Sequence, residues 1–226
     1  MQVRPASTRG RSSAPAWLDT WHSFSFADWH DARYMGFGPL RVLNDDTVAP
    51  GMGFGKHPHR DMEILSYVLS GALEHQDSTG THGIIRPGEV QFMRAGRGVV
   101  HGEMNASKTE SVHFLQVWIV PDRRGLEPLY DQRTLVFEQG WAKIAGEPGS
   151  IPIDSATVVR ALQLAPGETA APYVLSPGRR GYLYLAEGAL EGGLARGDAG
   201  IYDAGERVEA RAGSEGAHAL FFDVPN

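Results

Sequence analysis

The chain contains no cysteine, and this absence excludes several kinds of chemistry. With 226 residues and Cys 0, disulfides, thiolate nucleophiles, iron–sulfur clusters and cysteine-ligated zinc are ruled out. Any metal ion must therefore be held by nitrogen and oxygen ligands. No apolar run approaches the roughly 20 residues of a transmembrane helix, and no apolar segment of a secretory signal follows the N-terminal arginines. We therefore expect a cytoplasmic protein without membrane association.

An excess of positive charge is also missing. Lys and Arg number 21 against 27 Asp and Glu, which gives a net charge of −6. The chain therefore lacks the basic surface expected of a nucleic-acid-binding protein. This balance allows a protein partner but argues against direct contact with DNA, and we expect a monomer.

Long helical periodicity is absent, whereas short apolar runs are frequent. These runs end at Gly, Pro, Asn or Asp, and they occupy residues 40–43, 64–69, 114–120, 182–186 and 219–224. Such a pattern, with 28 Gly and 14 Pro as turn formers, predicts an all-β sandwich or barrel. Helical turns are expected only in short pieces such as residues 127–133.

Two stretches of the chain resemble each other. Residues 67–74 (YVLSGALE) and 184–191 (YLAEGALE) share the first tyrosine and the closing Gly-Ala-Leu-Glu, at an offset of 117. Gly88-Glu89 and Ala95-Gly96 match Gly197-Asp198 and Ala204-Gly205 in the same order, at an offset of 109. The repeat predicts a duplicated β-domain, with one copy at residues 1–134 and the other at 135–226.

The histidines concentrate the chemistry in the first copy. Eight of the nine lie at or before position 113. His57 and His59 are two residues apart, as are His101 and Glu103, and residues at this spacing on a strand point to the same face. Two neighbouring strands could thus offer three imidazoles and one carboxylate to a single metal ion. Glu63 shares the strand parity of His57 and His59 and stays open as an alternative carboxylate ligand.

At this point the sequence resembles a known superfamily. The pattern G-x5-H-x-H-x3-E-x7-G over residues 51–71 resembles the first cupin motif, and residues 88–105 resemble the second in a loosened form, with Arg94 where proline is usual. Within the cupins the resemblance is to the pirin family. It is carried by residues 24–27, 36–46, 57–63, 75–78 and 91–103, whereas the C-terminal half matches only in length and β character.

The resemblance implies a fold and a metal site. The fold is two tandem cupin barrels (double-stranded β-helix, or jelly roll) with few short helices. The ligands are His57, His59, His101 and Glu103, and they hold one divalent transition metal ion, for which Fe, Cu, Ni, Mn and Zn stay open. The repeat offsets carry these four positions onto Val174, Ser176, Ala210 and Ala212, so the second barrel is expected to bind no metal.

The resemblance also implies an activity. Pirin-like bacterial bicupins resemble quercetin 2,3-dioxygenases, which implies that O₂ opens the heterocyclic ring of a flavonol and carbon monoxide leaves, with Glu103 as both ligand and base. Two alternatives stay open: a pirin-like binding or regulatory protein without turnover, and another cupin enzyme, such as an isomerase or a different dioxygenase. His75 and Asp77 either orient a ligating imidazole or belong to a polar turn.

Overall fold

The computed structural model describes residues 1–12 and 15–226, and nearly all of its regular structure is β. A single 3-10 turn is described, at Ala6–Thr8. The strands are β1 (Gln2–Arg4), β2 (Leu18–His22), β3 (Leu40–Val48), β4 (Gly53–His59), β5 (Glu63–Ser70), β6 (Leu73–Asp77), β7 (His82–Ile85), β8 (Glu89–Arg94), β9 (Val99–Asn105), β10 (Val112–Ile119), β11 (Leu129–Thr134), β12 (Trp141–Ala145), β13 (Val158–Leu164), β14 (Tyr173–Val174), β15 (Arg179–Leu190), β16 (Leu194–Ala195), β17 (Ala199–Tyr202), β18 (Arg207–Val208) and β19 (Ala212–Pro225).

The all-β prediction is confirmed, with two local corrections. The helical piece predicted at residues 127–133 is wrong, because β11 there pairs antiparallel with β8 and places Gln132 opposite Gln91. Cross-strand pairing thus overrides the weak local preference for a helix. The run that starts at Leu40 also does not end at the Asn-Asp-Asp sequence, since β3 continues through it to Val48 with Asn44 and Asp46 buried. No helix long and apolar enough to cross a membrane occurs in residues 1–12 and 15–226.

One compact unit contains residues 10–134 together with 153–155. Its first sheet has the strand order β11-β8-β5-β10-β3-β2, and its second has the order β4-β9-β6-β7. β5 and β10 lie in the middle of the first sheet and are buried almost throughout. Their apolar side chains build the core of this unit, in which Val68 of β5 and Phe114 of β10 share a buried cluster with Leu73 of β6.

The other compact unit contains residues 1–9, 135–152 and 156–226. Its main sheet has the order β1-β17-β15-β19-β13-β12, with β16 on β15, and β14 pairs with β18. Leu183, Leu185 and Phe221 belong to its buried core. Two short segments depart from a linear division of the chain after residue 134: residues 1–9 belong to this unit, and residues 153–155 belong to the first.

Strand pairing in the two units follows the sequence repeat. Tyr67 on β5 lies opposite Val90 on β8, and Tyr184 on β15 lies opposite Ala199 on β17. The offset of 117 relates Tyr67 to Tyr184, and the offset of 109 relates Val90 to Ala199. The same tyrosines face Leu115 on β10 and Leu220 on β19. The central strands of both units therefore share one topology.

The register corrects two of the predicted counterparts. His59 lies opposite Val99 in the first unit, and the counterpart of Val99 at the offset of 109, Val208, lies opposite Tyr173 in the second. The positions equivalent to His57 and His59 are therefore Ala171 and Tyr173, not Val174 and Ser176. The extrapolated offset was wrong because the segments between these strands and the matching tyrosines differ in length: Tyr67 follows His59 by 8 positions, whereas Tyr184 follows Tyr173 by 11.

Candidate metal centre

The candidate ligands are positioned by two adjacent strands, β4 and β9. These strands run antiparallel and place His57 directly opposite His101. The register shifts by one residue between Phe54 and His57, which is the signature of a β-bulge. Because the bulge precedes the His-x-His sequence, His57 and His59 share a face with the histidine of β9.

Three imidazoles form a compact triangle at this place. The ring centroids are 4.8 Å apart for His57 and His59, 4.6 Å for His57 and His101, and 4.9 Å for His59 and His101. One ring nitrogen of each lies within 4.8 Å of the others. The structure thus brings together the three histidines that the i, i+2 spacing selected.

The free nitrogens of this triangle fit a metal ion. The Nδ1 of His57 lies 2.7 Å from the carbonyl oxygen of Gly55; since a carbonyl only accepts, this nitrogen donates, and Nε2 is the ring nitrogen open to a metal ion. The Nε2 of His101 is buried and has no hydrogen-bond partner among the described residues. Leaving such a group without a partner is costly, and a metal ion would satisfy it.

The protonation of the histidines agrees with this fit. Burial, followed by the nearby imidazoles of His101 and His57, lowers the pKa of His59 to about 4. Burial, followed by His57 and His75, lowers the pKa of His101 to about 3. Both rings are therefore neutral at pH 7, and neutral imidazole is the form that binds metal ions.

Glu103 lies beside His101 but is held by other strands. Its Oε1 accepts a hydrogen bond from the Ser66 hydroxyl at 2.6 Å, and its Oε2 accepts one from the Gln116 amide at 2.6 Å. One carboxylate oxygen of Glu103, one ring nitrogen of His101 and one ring nitrogen of His75 lie within 4.8 Å of one another. Each carboxylate oxygen has a second lone pair, so these hydrogen bonds are compatible with metal binding by Glu103.

The structure places Glu63 in different surroundings. It is fully buried, and its Oε1 accepts a hydrogen bond of 2.7 Å from the backbone N–H of Asp154. Burial raises the pKa of Glu63 to about 7, against the lowering effect of that hydrogen bond. This carboxyl group therefore anchors residues 153–155. Among the described residues, Glu63 is in neither of the two clusters of side chains that could hold a metal ion.

A cavity of about 250 Å³ opens beside the triangle. It reaches the three histidines and Glu103, and aromatic rings form part of its wall. Trp118 meets His59 edge to face at a centroid distance of 4.8 Å, and Phe26 meets Trp118 in the same way at 5.5 Å. The remaining wall is apolar at Leu18, Phe54 and Ile64 and polar at Thr20, His22, Asn44, Asp46 and Gln116.

Sequence reasoning missed the polar wall of this cavity. Asp46 accepts a hydrogen bond from Thr20, and burial raises its pKa to about 7. The apolar run at residues 40–43 predicts a turn at the Asn-Asp-Asp sequence that follows, whereas β3 continues through this polar run to Val48. Ser66 and Gln116, which hold Glu103, gave no signal, because they lie 37 and 13 residues from it in sequence. His113 is buried, with its Nε2 at 2.6 Å from Asp45.

Comparisons with known proteins agree with this architecture. A family model described as Pirin matches residues 2–119. The chain is 51% identical over 138 residues to a quercetin 2,3-dioxygenase of Escherichia coli strain K12, a match that covers 61% of this chain and 59% of that protein. It therefore spans less than two thirds of that relative.

Solved structures match over the whole chain. The crystal structure of bacterial pirin YhhW from Escherichia coli in complex with nickel(II) has a TM-score of 0.89 at 36% identity, covering 99% of this chain and 98% of that one. The structure of GK1651 from Geobacillus kaustophilus has a TM-score of 0.77 at 26% identity, covering 99% and 95%.

Proposed function

This chain belongs to the pirin family, and on that premise we propose that it is a metal-dependent dioxygenase which opens the heterocyclic ring of flavonols such as quercetin. The products of this reaction with O₂ are the ring-opened ester and carbon monoxide. A relative at 51% identity is named as a quercetin 2,3-dioxygenase, which supports the choice of substrate class.

The observation that carries the proposal is the placement of three imidazoles on the wall of an aromatic-lined cavity. His57, His59 and His101 would hold one divalent transition metal ion, and Glu103 would be the fourth ligand. When bound, such an ion acts as a Lewis acid that makes a coordinated hydroxyl group more acidic. The nickel complex of the bacterial pirin supports a transition metal without fixing which one this chain uses.

The surrounding side chains supply orientation and a proton acceptor. A carboxylate oxygen of Glu103 would take the proton of the substrate hydroxyl, while Ser66 and Gln116 hold that carboxylate in place. Trp118 and Phe26 offer ring faces and edges that suit a flat aromatic molecule. The polar wall at Thr20, Asn44 and Asp46 can pair with hydroxyl groups of the substrate.

The test is the disappearance of quercetin with uptake of O₂. The apo protein is reconstituted with Fe, Cu, Ni and Mn in turn, and the loss of visible absorbance is measured together with oxygen consumption and carbon monoxide. At least one metal form should turn over quercetin, and His57→Ala should lose both the activity and the bound metal. If none of the four metal forms consumes quercetin, the proposed substrate class is wrong.

Metal content tests the site separately from the activity. Wild type and His101→Ala are loaded under the same conditions, and bound metal per chain is measured by mass spectrometry. We expect about one ion per wild-type chain and a loss of most of it in the variant. Equal metal content in the two proteins would contradict the assignment of His101 as a ligand.

A further inference from the structure

We propose that Asp77 and His75 form a positioning chain behind His101, which fixes the imidazole tautomer that binds the metal. The proposal rests on the metal site described above and not on the dioxygenase activity. His75 and Asp77 lie on β6, which pairs with β9 and places Asp77 opposite His101 and His75 opposite Glu103.

The three side chains follow one another at hydrogen-bond distances. The Nε2 of His75 lies 3.1 Å from Oδ2 of Asp77, and the Nδ1 of His75 lies 3.4 Å from the Nδ1 of His101. The Nε2 on the far side of the His101 ring is the buried nitrogen that has no partner among the described residues. The chain therefore runs from a carboxylate through two imidazoles to the candidate metal position.

The donor and acceptor roles along this chain fix the position of each ring proton. The carboxylate of Asp77 accepts hydrogen bonds from the backbone N–H groups of Thr79 and Thr81, and a carboxylate only accepts. The Nε2 of His75 then donates to Oδ2 of Asp77, and in a ring that carries this single proton Nδ1 is the acceptor. His101 must donate from its Nδ1, and its Nε2 keeps the lone pair that a metal requires.

The polar turn does not account for His75. The turn uses the other oxygen of Asp77, since Oδ1 accepts from the backbone of Thr79 at 2.8 Å, from the Thr79 hydroxyl at 2.6 Å and from the backbone of Thr81 at 3.2 Å. His75 itself is 0% exposed and packs against the ring of Tyr130 at a centroid distance of 5.0 Å. The two roles of Asp77 thus fall on different atoms and can be separated by substitution.

Asp77→Asn is the decisive variant. An asparagine can keep its oxygen toward the turn, but its NH₂ group then faces His75 and donates to Nε2. His75 must carry its proton on Nδ1, which opposes the N–H of His101 and disfavours the ligating tautomer. His75→Phe removes the acceptor while keeping a ring against Tyr130. Thr79→Val is the matched control, because it weakens only the turn.

Two measurements test the proposal. Affinity for Ni(II) is determined by chelator competition on the apo protein, and the tautomer of His101 is read in the metal-free ¹⁵N-labelled protein from long-range ¹H–¹⁵N correlations. We expect Asp77→Asn and His75→Phe to weaken Ni(II) binding by roughly 10–100-fold, as for other residues that orient a ligand, and Thr79→Val to leave it unchanged. Metal-free wild type should show His101 protonated at Nδ1, and Asp77→Asn should lose this preference.

Two results would overturn the proposal: wild-type Ni(II) affinity in both folded variants, or a wild-type His101 that carries its proton on Nε2. Circular dichroism of the apo variants establishes that they are folded. A failure of the proposed dioxygenase function would appear only in quercetin turnover. If the wild type bound no Ni(II), the tautomer spectra of the metal-free protein would still decide whether the chain exists.

Discussion

At the scale of single residues, three carboxyl groups of the same unit differ in their partners. Glu103 accepts from Ser66 and Gln116, Glu63 accepts from the backbone of Asp154, and Asp46 accepts from Thr20. The i, i+2 spacing predicted which histidines meet, because that spacing fixes the face of a strand. It could not predict the partners of the carboxylates, because those come from strands far away in the sequence.

The burial of Glu63 leads to a prediction about stability and pH. Its pKa is about 7 in the folded protein, against an ordinary value of 4.5. Between these values the folded state holds a proton that the unfolded state has released, so this group makes stability fall as pH rises from about 4.5 to about 7. Glu63→Gln lacks this titrating group. Its free energy of unfolding should therefore increase relative to that of wild type as pH rises from about 4.5 to about 7. Urea unfolding of both proteins at several pH values measures the difference.

The same variant also tests the alternative ligand. Because Glu63 faces Asp154 and not the three imidazoles, Glu63→Gln should bind the same amount of metal per chain as wild type. Parallel stability curves for the two proteins between pH 4.5 and 7 would contradict the burial argument. A loss of metal in a folded Glu63→Gln protein would restore Glu63 as a ligand.

At the scale of elements, the geometry of the site depends on the register of β4 and β9. The sequence predicted two neighbouring strands with same-face pairs, and the structure contains them. The one-residue bulge before His57 was beyond prediction, because hydrophobic periodicity does not indicate where an extra residue enters a ladder. The strand β11 was missed for a related reason: its six residues are ordered by pairing with β8 and not by a local pattern.

Alanine substitutions at two glycines of β4, Gly53 and Gly55, test the close approach of this strand to β9. A Cβ on Gly53 would lie 2.6 Å from Cα of Met104 on β9, whereas a Cβ on Gly55 would meet nothing within 4 Å. Gly53→Ala should therefore force the strands apart, at about 1–3 kcal/mol for an overpacked position. That corresponds to a melting temperature lower by roughly 2–12 °C for a chain of this size. It should also weaken Ni(II) binding, because His57 and His101 would lose their alignment.

Gly55→Ala is the control for this change. It alters the same strand at an exposed position, so its melting temperature and Ni(II) affinity should stay near those of wild type. Thermal unfolding of the apo proteins and chelator competition give the two readouts. Equal behaviour of the two alanine variants would show that the approach of β9 to Gly53 does not position the ligands.

At the scale of the whole molecule, two units share a topology but differ in chemistry. The pairing of Tyr67 with Val90 has its equivalent in the pairing of Tyr184 with Ala199. The sequence predicted this duplication from short identical segments. It could not give the register near the ligands, because no matching residues lie there to fix the offset. In the observed register the equivalents of the three histidines are Ala171, Tyr173 and Ala210, and none of these side chains is a customary ligand for a divalent transition metal.

This asymmetry predicts where metal binding stabilises the chain. A ligand at 100 times its dissociation constant stabilises the structure that binds it by about 2.7 kcal/mol, which slows hydrogen exchange through opening of that structure by about 100-fold. With Ni(II), exchange should slow in β4, β5, β9 and β10 and stay unchanged in β15 and β19. Hydrogen–deuterium exchange by mass spectrometry measures both units in one sample, and His101→Ala should show no slowing in either. Equal slowing in both units would contradict this prediction, and it would mean either that the units open together or that the second unit also binds the ion. Metal content per chain distinguishes these two cases, because a second site would raise it above one.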